Sequence, residues 1–279
     1  MQKDSLLEPL SNKNNTFRIS YYNPDRLKES HSPGTHKYCI SNEFLNADIV
    51  ISLPKVKTHQ KAGITAALKN IVGINGDKDF LPHHRIGGSE MGGDCYPGKN
   101  IIRNLSEKAR DKANRNIGNY KYKVWVLISY ILWNILPVKK THSLSASWHG
   151  NDTIWRMVLD LNKIAVYGKP DGTISDIPQR TVYSLCDGII GGQGNGPLEP
   201  KPLSLGIISF TNDSALNDIA MSILMGYDWQ KISLLKNSKN STDLKIIHIL
   251  LNTSIVKMDY LKNLSIKTLP PNGWEKYLL

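Results

Sequence analysis

Apolar positions along this chain switch repeatedly between the period of a strand and the period of a helix. "FRISYY" (17–22) and "HKYCIS" (36–41) read as strands separated by a loop rich in breakers. "ADIVISLP" (47–54) is a continuous apolar run stopped by proline, the pattern of a strand buried on both faces. Thr58 then offers a cap for a helix running from about His59 to Ile71. A long glycine-rich loop follows, "GINGDKDFLPHHRIGGSEMGGDCYPG", and loops of that length in compact domains tend to be functional. Ile101, Ile102, Leu105, Ala109 and Ala113 recur at helical spacing within 99–118. "VWVLISYILWNILPV" (124–138) reads as an apolar helix, and Ile154, Val158, Leu161 and Ala165 share one face of a helix opened by Asn151 or Asp152. Beyond these come strands at 180–191 and 203–213, a helix at 214–226 closed by Gly226, and a strand at 244–252. This alternation predicts an α/β fold, a mostly parallel sheet flanked by helices. It is read as one domain over 1–279 carrying a helical insertion around 99–145, with sites gathered at the carboxyl ends of strands.

Composition narrows the partners more than the fold. With 40% apolar residues the 279-residue chain can bury a normal core, which excludes global disorder. Lys and Arg outnumber Asp and Glu by 35 to 24, so the formal charge of +11 favours anionic partners. Between Lys99 and Lys140 basic residues outnumber acidic ones ten to two, and this stretch brackets the apolar segment 124–138. That segment is shorter than the roughly 18 to 20 residues needed to span a bilayer. It predicts a buried helix or one docked at an anionic membrane surface. Cys39, Cys95 and Cys186 are widely spaced and odd in number, which argues for a reducing compartment, and the absence of CxxC leaves no iron–sulfur motif. The start of the sequence carries no secretory pattern, so the expected location is cytoplasmic, peripheral to a membrane if the apolar helix docks there.

The densest candidate chemistry lies where the apolar run 47–54 ends. Lys55, Lys57 and His59 are expected to meet the free N–H groups of a helix start, an arrangement that favours an anion. On that helix His59 and Lys69 would both address the ligand. Asp187, at the end of the next strand, is the first choice for a carboxylate facing the lysines, with Asp213 and Asp218 behind it. "DGIIGGQGNGP" (187–197) is a glycine-rich stretch whose backbone can approach a ligand and offer N–H donors; it is not a G-x-G-x-x-G fingerprint. In "PHHR" (82–85), His83 and His84 are candidate metal ligands or an acid/base pair, to which Cys95 could add a thiolate. Asn151, Asp152, Trp155 and Arg156 read either as a sugar or phosphate contact with Trp155 stacking, or as a well-capped core helix.

The string "ADIVISLPKVKTHQKAGITAALKNIVGINGD" resembles the signature of the domain of unknown function family 362 (DUF362), a D-x-x-I-x-x-P-K-x-K-T-H segment followed by a threonine, a Lys-Asn pair and a glycine. Here these are Asp48, Pro54, Lys55, Lys57, Thr58, His59, Thr65, Lys69, Asn70 and Gly73. "CDGIIGGQGNGP" (186–197) and "TNDSALNDIAMSILMG" (211–226) are also similar to that family, so the resemblance covers roughly 36–236. Family members usually have a longer amino-terminal α/β region, and some a ferredoxin-like cysteine module; this chain lacks the module. Relatives with a "GNDTIWR" segment are similar to proteins encoded among polysaccharide-biosynthesis functions. A more distant similarity joins His59 and Lys69, ten residues apart, to nickel-pincer lactate racemases. There a lysine carries the cofactor and a later histidine binds nickel, a role open to His83 or His84.

Together these readings name His59, Lys69 and Asp187 as catalytic candidates, and Lys55, Lys57, Thr58, Thr65, Asn70, Gly191 and Gly194 as ligand-binding candidates. Three functions follow as expectations. The first is an enzyme acting on an anionic, sugar-derived or lipid-linked substrate. The second is a pincer-type racemase or epimerase with a nickel cofactor. The third is a noncatalytic, membrane-peripheral component of a polysaccharide assembly system, built around 99–140; for any of the three, a partner chain is a candidate source of the family's amino-terminal region. A nucleic-acid partner is disfavoured, because no reader motif is present and aromatics are not interleaved with the basic residues.

Overall fold

The computed structural model describes residues 4–14, 16–135, 145–239 and 247–279. Lys139 and Lys140 of the basic stretch, the end of the apolar run at 136–138, much of the far end of the expected insertion and residues 244–246 of the last expected strand lie outside the described residues. The chain divides into two compact units, Met1–Asn42 with Ile74–Leu161 and Glu43–Gly73 with Asn162–Leu279.

In the first unit, Leu7, Phe17, Ile19 and Leu27 form a small core. The strand expected at 17–22 shortens to Phe17–Arg18, which pairs antiparallel with His84–Arg85, because Asn23 and Pro24 open a helix soon after it. The strand expected at 36–41 is reduced to Thr35–His36 and one bridge from Ile40 to Asn75, since no long strand lies beside it. The helical insertion appears as α1 (Ile101–Asn114) and α2 (Tyr120–Asn134), capped by the side chains of Asn100 and Asn119. Ser106 and Ser129 tie the two together through reciprocal hydroxyl-to-carbonyl bonds of 2.6 and 2.9 Å. The helix α3 (Ile154–Tyr167) follows, and the division between the units falls within it.

The expected burial of α1 and α2 is reversed in part. Ile101 and Leu105 are exposed, while Ser106, Glu107, Asp111 and Asn114 are buried, so α1 turns a polar stripe inward. On α2 only Ser129 and Trp133 are buried; Tyr120, Val124, Leu127 and Ile131 make an exposed stripe at helical spacing. Among the described residues no helix is long and apolar enough to cross a membrane.

The second unit holds the central sheet and confirms the α/β class. Its strands are β1 (Ile49–Ser52), β2 (Lys55–His59), β3 (Gly63–Thr65), β4 (Thr181–Asn195) and β5 (Glu199–Thr211). β4 is the spine. β1 and then β2 run parallel to it, Ile49 opposite Thr181 and Lys55 opposite Asp187, while Pro54 breaks them into two strands and its carbonyl still accepts from Asp187 N–H. β5 and β3 add antiparallel, to β4 and β2 respectively. The helix α4 (Ser214–Leu224), capped by Asp213, packs on β3, β4 and β5. The other face of the sheet is open: Ile49, Ile51 and Leu53 are exposed, as are Ile208 and Phe210. The run 47–54 is therefore not buried on both faces, since Ile49, Ile51 and Leu53 project from the exposed face.

Two further expectations are corrected here. The chain from His59 to Ile71 is not one helix: β2 turns back into β3, and only from Ala67 is it helical, as the turn Ala67–Asn70 continued by a 3-10 turn Ile71–Ile74. Gly63, at φ +79°, supplies a left-handed turn residue, and β-branched Thr58, Ile64 and Thr65 suit the ladder. Thr58 does not cap; its hydroxyl donates to Gly194 O at 2.8 Å. The second correction concerns 187–197, which is mostly strand and not a loop. Its glycines let β2 come close: a Cβ on Gly196 would lie 2.1 Å from Thr58 O, and one on Gly192 2.9 Å from Lys57 Cβ.

Candidate functional site

Alternation along β2 places Lys55, Lys57 and His59 on one face and buries Val56 and Thr58 on the other. The expected helix start at His59 is absent, so its N–H groups do not contribute to an anion site. The three side chains then diverge in environment. Lys55 is exposed and pairs with Asp187 at 2.7 Å, and that ammonium holds the Asp187 carboxyl below the usual range. Asp187 is thus the neighbour that neutralises Lys55. His59 is buried, and its Nδ1 accepts from the backbone N–H groups of Lys61 and Ala62 at 3.1 and 3.2 Å. A neutral ring held this way carries its proton on Nε2.

Lys57 sits between Thr65 on β3 and Gly192 on β4. Because residues paired across strands share a face, the Thr65 side chain lies beside Lys57, and the missing Cβ of Gly192 leaves room for the lysine stem. Thr65 Oγ1 is buried without a hydrogen-bond partner. Lys69 completes the cluster from the turn Ala67–Asn70. Burial first, and the charge of Lys57 second, lower its ammonium to about 8 from an ordinary 10.5. Among the described residues neither Lys57 nor Lys69 takes part in an ion pair.

The turn that presents Lys69 is fixed from beneath. Asp218, fully buried on α4, accepts from Ala67 N–H at 2.7 Å, Leu68 N–H at 3.0 Å and the Asn217 amide at 3.0 Å. Burial pushes its carboxyl up to about 7 against those three donors. Asn70 donates to Ser52 Oγ at 2.8 Å, anchoring the end of the turn to β1.

The structure thus pairs Lys57 with Thr65 across β2 and β3, sets Lys69 near enough to Lys57 to feel its charge, and gives the other candidates different tasks. Thr58 and Asn70 bond across to β4 and β1, His59 bonds to the turn that follows it, and Lys55 and Asp187 form an outer pair. Gly194 does not offer its N–H to a ligand, and Gly191 lies within a strand and not in a ligand loop. Gly191 is paired within the sheet opposite Leu203, and Gly194 N–H donates to Leu269 O at 2.7 Å. Asp213 caps α4 and pairs with Lys239.

His83 and His84 belong to the first unit. His83 Nδ1 lies 2.6 Å from Leu81 O, and His84 is buried beside Glu107, its Nε2 4.0 Å from Glu107 Oε1. His84, Cys95 and Glu107 each bring a ligand-type atom to within 4.8 Å of the others. This nitrogen, sulfur and oxygen set differs from the lysine and histidine arrangement of the nickel-pincer enzymes. Burial pushes Glu107 up to about 8. Glu107 was legible in the sequence only as a charge; its spacing with Asp111 and Asn114 on one helix face was the available signal. Of the remaining candidates, Asn151 caps α3 by accepting from Ile154 N–H at 2.9 Å. Trp155 is buried, bonded to Asp152 and covered by the Arg156 guanidinium, so it is no open stacking platform.

Residues 4–222 match the model of the family described as "Domain of unknown function (DUF362)", a span that starts earlier than the motifs alone indicate. No curated protein and no solved structure matches the chain.

Proposed function

Since the chain belongs to the DUF362 family, whose description assigns no activity, we propose that it binds a phosphate- or carboxylate-bearing small molecule at Lys57, Lys69 and Thr65, and acts on it as an enzyme. The observation that carries this reading is that Lys57 and Lys69, close enough for one charge to act on the other, have no ion-pair partner among the described residues, while Thr65, paired with Lys57 across the strands, has a buried hydroxyl with no hydrogen bond among them. Like charges held together weaken a fold unless an anion relieves them. An oxyanion accepting from both lysines and from Thr65 Oγ1 would do so through charge-assisted bonds. Lys69, with its ammonium near 8, sits where an amine can exchange a proton at physiological pH, which suits a general acid/base. A sugar-derived or lipid-linked substrate rests on the resemblance to relatives encoded among polysaccharide functions. The reading is tested by thermal-shift titration with a panel of hexose phosphates, nucleoside diphosphates and hydroxy acids. At least one should stabilise the protein saturably, and a panel without effect would remove the proposal.

A second reading is favoured by α2. Its exposed stripe of Tyr120, Val124, Leu127 and Ile131, with Lys121 and Lys123 alongside, is a pattern that lies in the headgroup region of an anionic membrane. Such docking would bring the protein to a lipid-linked substrate and is compatible with the first reading.

A further inference from the structure

The polar face of α1 ends at a cluster that nothing in the anion site uses. Glu107 is 4% exposed. Its carboxyl accepts from Gly87 N–H at 2.9 Å through Oε2 and takes a hydrogen bond from the Cys95 side chain, while Oε1, fully enclosed, has no hydrogen-bond partner among the described residues. Beside that oxygen stand His84 Nε2 at 4.0 Å and the Cys95 thiol, with all three ligand-type atoms inside 4.8 Å of one another and all three residues buried. Three separate stretches of chain build the set. His84 comes from the two-residue strand paired with Phe17–Arg18, Cys95 from a loop tied to Gly87 O, and Glu107 from α1. A cleft lined by His84 and Glu107, together with Arg18, Arg110 and Asp111, reaches the cluster.

We propose that His84, Cys95 and Glu107 bind a divalent cation of the zinc class. Imidazole nitrogen, thiolate sulfur and carboxylate oxygen are the ligand types of tetrahedral zinc, whose neighbouring ligand atoms stand about 3.3 to 3.8 Å apart. The observed separations, 4.0 Å from His84 Nε2 to Glu107 Oε1 and at most 4.8 Å for the others, would close around an ion. A thiolate and a carboxylate together carry the charge that cancels a divalent cation, so the loaded site is neutral where either anion alone would be costly to bury. The Gly87 N–H holds Glu107 in place from behind, the role of an outer hydrogen bond at a metal centre. With three protein ligands, the fourth position is left for water or a ligand entering by the cleft, the pattern of a site that acts on something and is not merely structural.

The test is titration of the metal-free full-length protein with cobalt(II), followed by its near-ultraviolet sulfur-to-metal charge-transfer band and its visible bands. Stoichiometric binding with a thiolate band is expected, reversed by zinc. The band should persist in Cys39→Ser and vanish in Cys95→Ser. Glu107→Gln should weaken binding by about 10-fold or more, the loss of one charged partner. Circular dichroism checks that each variant folds. If Cys95→Ser does not fold, X-ray absorption of the zinc-loaded unaltered protein decides, with one sulfur and a mixed nitrogen and oxygen shell expected. A folded protein that binds no cobalt, a band unchanged in Cys95→Ser, or a zinc shell without sulfur would each overturn the proposal.

Discussion

At the scale of single residues, Lys69 sets folding against binding. Its ammonium group is lowered to about 8, whereas in the unfolded chain it titrates near 10.5. Below about pH 8 both states hold the proton and the folded protein bears the whole cost of the enclosed charge. Between about 8 and 10.5 the unfolded chain binds more protons, so this residue's contribution makes stability rise with pH. Lys69→Met is therefore expected to stabilise the ligand-free protein at pH 7 by up to about 3 kcal/mol and to flatten that rise, as read by urea unfolding across pH. A destabilised variant would mean that the ammonium already has a partner. Asp218 is the opposite case. Its carboxylate satisfies three N–H groups, and Asp218→Ala leaves them buried without acceptors. A loss of about 2 to 4 kcal/mol is expected in the same unfolding measurement, with Asp218→Asn intermediate.

At the scale of elements, what could be read locally was read, and what depends on distant partners was not. The apolar runs at 47–54 and 180–191 gave real strands, and the helical spacing at 99–118 and 151–167 gave α1 and α3, because a regular period leaves a local trace even where, as on α1, the buried stripe is largely polar. The hairpin of β2 and β3 left a weaker one. "KTHQKAGIT" has helix formers in its middle, and only Gly63 at φ +79° with the flanking β-branched residues speaks for a turn between strands. Gly63 is also enclosed, since a Cβ there would lie 3.0 Å from Ile232 and Trp274 side-chain atoms. Gly63→Ala is accordingly expected to cost about 1 to 3 kcal/mol in thermal or urea unfolding. An unchanged midpoint would show that the turn tolerates a side chain. The glycines of 191–196 looked like a ligand loop for the same reason: a close strand crossing and a phosphate cradle both demand a missing Cβ. The buried polar face of α1 was illegible because its partners, Arg18, Ser20 and Gly87, are far away in sequence.

At the scale of the whole molecule, the surplus of positive charge acquires two addresses. One is the proposed site at the lysine pair of the second unit, where a strand face and a one-turn helix hold the side chains in place of the helix start expected from the sequence. The other is the surface of α1 and α2, where Lys121 and Lys123 accompany an exposed apolar stripe. For that surface, flotation with liposomes is the direct check. The protein is expected to float with anionic vesicles and less so at high salt, and Val124→Glu with Leu127→Glu should abolish it. Equal recovery with neutral vesicles would count against an electrostatic dock.

The account turns on Lys57 and Lys69 holding an anion together, and calorimetric titration of the best panel ligand at pH 7 and pH 9.5 measures that most directly. Binding should weaken by about 10-fold or more at the higher pH as Lys69 loses its proton, and Lys57→Met and Lys69→Met should each lower affinity at pH 7 by about 10- to 100-fold. Affinity that is the same at both pH values and in both variants would contradict it.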